Sequence, residues 1–291
     1  MSRTERFLAK LKPGEVLLAD GATGTMLQQM GLPSGLAPEV WLMEEPDRIR
    51  DLHRLYVQAG SDLILTCTFG GTHFRLKGHG LADRVLEVNH RAAELAREIA
   101  AADVFVAGDM GPSGHLLVPL GKVAPQEMTD AFADQAHGLA QGGADFLLIE
   151  TMSDLGEAQA AIEGARQATD LPIVVSFSFD SHGRTMMGVK PEQVAKQIGP
   201  FVTGVGANCG KDPAEYPGFV RAMRQAAPDA ILWAKPNAGL PHMVEGQAVY
   251  DATPDYMAQI ALQLREAGAQ VIGGCCGTTP EHIAAMRDVL E

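Results

Sequence analysis

At 291 residues the chain is long for a simple domain and ordinary for one α/β barrel. With 46% hydrophobic and 20% charged residues it can bury a large core, and a net charge of −13 with no Lys/Arg stripe excludes a phosphate backbone as partner. No apolar run approaches the roughly 20 residues that span a bilayer, and Met1 to Lys12 is charged and amphipathic rather than a leader, so a cytoplasmic protein with reduced thiols is expected.

In chain order, Glu15 to Asp20 reads as a short buried strand running into the small-residue turn Gly21-Ala22-Thr23-Gly24-Thr25. Backbone N–H groups in such a strand-turn-helix unit can face an anion. Pro46 to Gly60 reads as a helix with proline at its start and glycine at its end. The pattern then repeats. Strands are expected over 62–69, 104–111, 145–152, 172–179, 203–209, 231–237 and 271–276, and helices over 83–101, 125–141, 154–168, 191–198, 213–227, 254–267 and 280–290. Eight apolar strands, each followed by a helix, predict a single (β/α)8 TIM barrel occupying 1–291, with a doubly wound open sheet as runner-up.

Polar residues recur where these strands end: Asp20, Thr66, Asp109, Glu150, Ser178, Cys209, Asn237 and the pair Cys275-Cys276. In a barrel those ends share the active face. The stretches 31–43 and 239–253 are irregular and are expected there as lids or partner surfaces.

The chemistry concentrates in cysteine, of which there are only four. Cys275 and Cys276 are adjacent, with Gly273-Gly274 before them and Gly277 after, and Cys209 closes the sixth strand. Three thiolates can hold zinc tetrahedrally with one position open. Neighbouring side chains on a strand diverge, so both cysteines reach one ion only if the glycines let the backbone turn. Core packing or a redox pair are the other readings of the residues alone. Cys67 lies mid-strand and reads as packing. His53, His90 and His137 fall on helices and read as surface or partly packed. Met186-Met187 follow a turn and are candidates to line the site. Lys235 ends strand seven, where it can be a Schiff-base lysine of a lyase or, more simply, the partner of a carboxylate. Asp20 and Glu150 suit a substrate ammonium, and the amides of the turn Ala22 to Thr25 suit its carboxylate.

Five motifs then carry a resemblance: Asp20-Gly21-Ala22-Thr23-Gly24-Thr25, Glu150-Thr151, Gly206-Ala207-Asn208-Cys209, Lys235-Pro236-Asn237-Ala238-Gly239 and Gly273-Gly274-Cys275-Cys276-Gly277-Thr278. Together they cover nearly the whole chain, which resembles the zinc-dependent homocysteine S-methyltransferase family. The resemblance implies a (β/α)8 barrel that methylates homocysteine to methionine. It implies zinc on Cys209, Cys275 and Cys276, with the homocysteine sulfur in the fourth position. Asp20, Glu150 and Asn237 would hold the amino group, and amides of Ala22, Thr23, Gly24 and Thr25 the carboxylate. A thiol is mostly protonated at neutral pH, and coordination deprotonates it.

Family members take the methyl group from betaine, S-methylmethionine or a methylated corrinoid. Betaine needs an aromatic cage. Beside Leu36-Ala37-Pro38-Glu39, Phe69-Gly70 and Glu150-Thr151-Met152, where animal betaine enzymes carry aromatics, this chain has leucine, glycine and threonine, with Trp41 and Phe74 displaced. It also looks like short bacterial proteins labelled betaine–homocysteine methyltransferases. The stretches 150–154, 235–241 and 277–282 look closest to the homocysteine module of cobalamin-dependent methionine synthase. The expected donor is therefore a methylcobalamin carried by a separate corrinoid protein, or a small onium compound. An oligomer is compatible with this reading. The readings of another class are a metal-independent lyase using Lys235 and a non-catalytic zinc-binding subunit.

Overall fold

A strand buried on both faces alternates its side chains between two apolar environments, so apolar runs like these are suited to a closed sheet with helices outside. The computed structural model, which describes residues 1–12, 14–244 and 247–291, shows that closure. The wall consists of β1 (Leu17–Leu18), β2 (Leu63–Leu65), β3 (Phe105–Met110), β4 (Phe146–Met152), β5 (Ile173–Phe177), β6 (Gly204–Cys209) and β7 (Ile231–Pro236). A hairpin of β8 (His242–Val244) and β9 (Gln247–Val249) follows, and β10 (Val271–Ile272) is the eighth wall strand. All wall pairings are parallel, in the order β1-β10-β7-β6-β5-β4-β3-β2. An Ala19–Leu63 bridge joins the two ends. The seam is sealed by the Asp20 N–H donating to the Leu63 carbonyl (3.1 Å) and the Asp62 N–H to the Leu18 carbonyl (2.7 Å). The fold is a (β/α)8 barrel, as the strand count predicts.

Around it run α1 (Arg3–Lys10), α2 (Gly24–Gln29), α3 (Pro38–Glu44), α4 (Pro46–Gln58), α5 (His73–Leu76), α6 (Val85–Ala100) and α7 (Pro125–Gln141). Then come α8 (Leu155–Ala168), α9 (Pro191–Gln197), α10 (Tyr216–Ala226), α11 (Pro254–Ala267) and α12 (Pro280–Leu290). Proline opens α3, α4, α7, α9, α11 and α12, because its fixed φ and missing N–H cost nothing at a first helical position.

Inside the barrel, period-two alternation stacks one apolar cluster: Leu63 and Leu65 from β2, Phe105 and Ala107 from β3, Phe146 and Leu148 from β4, Trp233 from β7. A Cβ on Gly206 would run into the Trp233 carbonyl, so glycine lets β6 pack against β7 at this point. The N-terminal helix α1 plugs the lower mouth, its fully buried Phe7 stacked on Phe146 with ring centroids 4.0 Å apart. A second, larger cluster lies between wall and helices. The next inward positions, at the C-terminal ends of the strands, are polar, and there the site begins.

Several local expectations change. The stretches 31–43 and 239–253 contain α3 and the β8–β9 hairpin, although Glu245 and Gly246 lie outside the described residues. Strands β2 and β10 are shorter than their apolar runs suggest. His53 on α4 is buried, and burial lowers its pKa to about 4.

Because Phe7 is fully buried in the inner cluster, Phe7→Ala should destabilise the fold by about 3–5 kcal/mol, measured by denaturant unfolding. A loss below about 1 kcal/mol would show that α1 merely covers the barrel.

Candidate functional site

At the C-terminal ends of the strands lies a cavity of about 830 Å³. Its lining includes Gly21 to Thr25, Glu39, Cys67, Phe74, Asp109, Glu150, Cys209, Lys235, Cys275 and Cys276. The three predicted thiols do converge. The Sγ atoms of Cys209, Cys275 and Cys276 lie within 4.8 Å of one another, close enough for one metal ion.

This convergence is built by the backbone. Cys209 ends β6 with φ of +66°, a left-handed conformation uncommon for a non-glycine residue. The Tyr216 hydroxyl donates to its carbonyl at 2.6 Å and holds the turn. After β10 the chain leaves the wall, with the Cys275 N–H donating to the Pro236 carbonyl (2.8 Å) and the Thr278 hydroxyl to the Cys275 carbonyl (2.7 Å). Gly277 follows at φ +80°, pressed so close under the Tyr250 ring that a Cβ would not fit. That turn lets two consecutive cysteines face one point.

Two asparagines brace the sulfurs. Asn237 donates from Nδ2 to the Gly210 carbonyl (2.6 Å) and toward Cys209 Sγ (3.7 Å), and its Oδ1 accepts from the Cys276 N–H (3.0 Å). Asn208, fully buried, donates to Thr151 Oγ1 (2.7 Å) and toward Cys275 Sγ (3.9 Å). Its Oδ1 accepts from the Thr151 N–H (2.8 Å) and the Ser176 hydroxyl (2.7 Å). Thr151 sits at φ +61° beside an irregularity in the β4–β5 register, so Asn208 ties the Glu150 strand end to the cysteine turn.

The thiols share charge. Hydrogen bonds from Cys275 and Cys276 pull Cys209 down to about 3; Cys209 in turn pushes Cys275 up to about 11 and Cys276 well above its ordinary range. One thiolate accepting from two thiols is a donor set in which a soft dication can replace the two protons.

The carboxylates divide into two kinds. Asp20 does not offer itself to a ligand: its Oδ1 accepts from the Lys235 ammonium (2.8 Å) and its Oδ2 from the Leu65 N–H (2.8 Å), and it is absent from the cavity lining. A buried charge this deep needs a resident partner, and Lys235 supplies it. The same ion pair settles Lys235. Burial disfavours its charge, but Asp20 and Glu150 outweigh that and raise its pKa, so it is an ammonium rather than a Schiff-base nucleophile. Asn237 is expected to meet the amino group, and both its polar atoms are also engaged with the segments that carry the cysteines.

Glu150 is the other kind. It is 7% exposed, lines the cavity, and its Oε2 has no hydrogen-bond partner among the described residues. Burial, then the neighbouring Cys275, push its pKa up to about 8. Asp109 shares these features: 4% exposed, Oδ1 without a partner among the described residues, pKa raised well above the usual range by burial and by Glu150. Asp109 was visible in the sequence only as one polar strand end among several. In the turn after β1, the Ala22 N–H is engaged by the Thr278 carbonyl (3.3 Å). That leaves Thr23, Gly24 and Thr25, whose N–H groups find no backbone acceptor among the described residues. Met186 and Met187 do not line the cavity; Met186 is 85% exposed. Trp41 is buried away from it under Arg48, while Phe74 lines it, packed on His115 at 4.9 Å.

A parallel barrel with three convergent thiols and partnerless carboxyls at its active face has the outline of a metal-thiolate enzyme. The chain belongs to the homocysteine S-methyltransferase family, whose profile matches residues 17–290. It is 34% identical over 289 residues to methionine synthase of Mycobacterium leprae and 33% to that of Mycobacterium tuberculosis. Each alignment covers 92% of this chain and 24% of the relative, so the chain spans about a quarter of their length. The metallated form of the homocysteine methyltransferase MmuM from Escherichia coli superposes with a TM-score of 0.82 at 24% identity, 99% of each chain being covered. Its oxidized form gives 0.78 at 25%, again over 99% of each. Among the described residues no helix is long and apolar enough to cross a membrane.

A carboxyl held near pKa 8 in the fold, against about 4.5 in the unfolded chain, keeps its proton better when folded. It therefore lowers stability progressively as pH rises from about 4.5 toward 8. In metal-free protein, Glu150→Gln should raise Tm at pH 8 by a few degrees, roughly 2–4 °C per kcal/mol for a domain of this size. The gain should vanish below pH 4.5. A lower Tm at pH 8 would show that Glu150 is paired in the fold.

Proposed function

We propose that Cys209, Cys275 and Cys276 hold a zinc ion beside a pocket for homocysteine, and that the methyl group comes from a methylcorrinoid presented from outside this barrel. The observation that carries this reading is the convergence of three sulfurs within 4.8 Å on the same cavity as the partnerless carboxyl of Glu150. The donor set fits zinc in chemistry and number, with one position left for a substrate. Zinc held by these residues would supply Lewis acidity that favours the thiolate form of a substrate thiol.

The chain's own residues do the rest. Glu150 accepts hydrogen bonds from the substrate ammonium, and the N–H groups of Thr23, Gly24 and Thr25 face its carboxylate. Asn208 and Asn237 fix the two sulfur-bearing segments against each other and against the Glu150 strand end, so that thiol and amino group are held at a set separation. The Lys235–Asp20 ion pair lies beneath the acidic groups and is neutral as a unit.

The donor reading follows from the lining. A quaternary ammonium needs aromatic faces around it, and here the aromatic carbocycles are Phe69 and Phe74 on one side, with Trp41 turned away. The similarity to methionine synthases, at 33–34% identity, supports methionine as the product. Cytoplasmic location accompanies this reading, since a zinc-thiolate site requires reduced cysteines.

Zinc-loaded protein given homocysteine and free methylcobalamin should form methionine, followed by mass, with demethylation followed by the visible spectrum. No methionine from methylcobalamin, with turnover of betaine or S-methylmethionine instead, would replace the corrinoid by an onium donor. Cys209→Ser, Cys275→Ser and Cys276→Ser should each lose bound zinc while Cys67→Ser retains it, as measured by metal analysis. Stoichiometric zinc in the Cys276 variant would overturn the three-thiolate site.

A further inference from the structure

Glu150 is not alone. Asp109 stands on the neighbouring strand, with β3 and β4 registered as Asp109 opposite Leu148 and Met110 opposite Ile149. Asp109 therefore stands level with Leu148, and Glu150 lies two residues further along β4, both at the cavity end of their strands. Both line the cavity, both are more than nine-tenths buried, and each has a carboxyl oxygen without a hydrogen-bond partner among the described residues.

The backbone of Asp109 is fixed with unusual completeness. Its N–H donates to Thr66 Oγ1 at 2.8 Å, and its carbonyl accepts from the Thr68 hydroxyl (2.7 Å) and from Gln135 Nε2 (3.2 Å). The two threonine hydroxyls bond each other at 2.7 Å, and all three side chains are fully buried. Three buried polar groups thus hold the main chain of Asp109 while its carboxylate is left to the cavity. The basic groups that face the pair are few. Lys235 is already taken by Asp20 at 2.8 Å, and Arg75 and His79 line the cavity on the side of Glu39. A buried carboxyl without a partner is expensive, so an arrangement of two, rigidly set, is built for a cation that arrives.

We propose that Asp109 and Glu150 form a two-carboxylate receptor for the ammonium group of the thiol amino acid, making Asp109 a specificity-determining residue. An ammonium has three N–H donors, so it can satisfy both carboxylates at once. The receptor distinguishes an amino-acid thiol from a simple thiol, which would leave both carboxyls unmet. This rests on homocysteine being the methyl acceptor.

The test compares zinc-loaded wild type with Asp109→Asn and, as a second variant of different size, Asp109→Ser, with zinc content and circular dichroism as checks on folding. Binding of homocysteine and of 4-mercaptobutanoic acid, the same thiol without its amino group, is measured by calorimetry. Losing a charged hydrogen bond should weaken homocysteine by about 10- to 100-fold and leave 4-mercaptobutanoic acid unchanged. Equal weakening of both thiols, unchanged homocysteine binding, or an effect confined to the KM of the methyl donor would each overturn the receptor. Wild-type protein that binds neither thiol would instead refute the acceptor reading on which it rests.

Discussion

A buried carboxylate must find a cation, and the upper layer of this barrel has more carboxylates than cations. Lys235 comes from β7 and meets Asp20 at 2.8 Å, both nearly inaccessible. That pair is internally neutral. Asp109 and Glu150 are then left with only the outer field of Lys235, and the three thiols beside them hold one negative charge in common. Everything the cavity lacks is positive. The upper layer therefore favours cationic ligands, in line with the zinc ion and the substrate ammonium proposed above.

The geometry that makes this balance useful is held by neutral groups. Asn208 contacts Thr151, Ser176 and Cys275; Asn237 contacts Gly210, Cys209 and Cys276. Amides suit the task because each offers donors and an acceptor from one rigid plane, and neither adds charge to a layer already over-supplied with anions. Two non-glycine residues held at positive φ, Thr151 and Cys209, flank these amides. Such conformations persist only where surrounding bonds over-determine them. Here those bonds run between the sulfur-bearing turn and the carboxylate-bearing strand, so the two ends of the substrate site are mechanically one unit.

Much of the fold was legible in the sequence because proline and strand burial leave strong marks. The helix starts at Pro46, Pro125, Pro191, Pro254 and Pro280 coincide with their proline, and every wall strand lies inside an expected apolar run. Strand ends were not legible. The run 62–69 continues past Leu65 and the run 271–276 past Ile272, because apolar composition persists where the backbone has already turned to aim Cys67 and the cysteine pair. The convergence of the cysteines was legible from the flanking glycines, which permit the turn that alternation forbids. Asp20 and Asn237 read as ligands because sequence shows a polar group at a strand end and not which other groups it also meets. Asp109 carried a usable signal. Counting inward positions by twos gives Phe105, Ala107, Asp109 on one strand and Phe146, Leu148, Glu150 on the next, so the parity that selects Glu150 selects Asp109 as well.

The layer that forms the proposed substrate site weakens the free protein. Placing two partnerless carboxyls and a thiol cluster in a low-dielectric cavity opposes folding at neutral pH, since each is more easily protonated in the fold than in the open chain or must shed charge onto a neighbour. The lower half of the barrel compensates, with the Phe7–Phe146 stack, the Trp233 indole and the aliphatic layer above them forming an apolar plug that takes no part in chemistry. Stability and function are therefore separated along the barrel axis. Ligands that neutralise the upper layer bind the folded state alone and stabilise it by mass action.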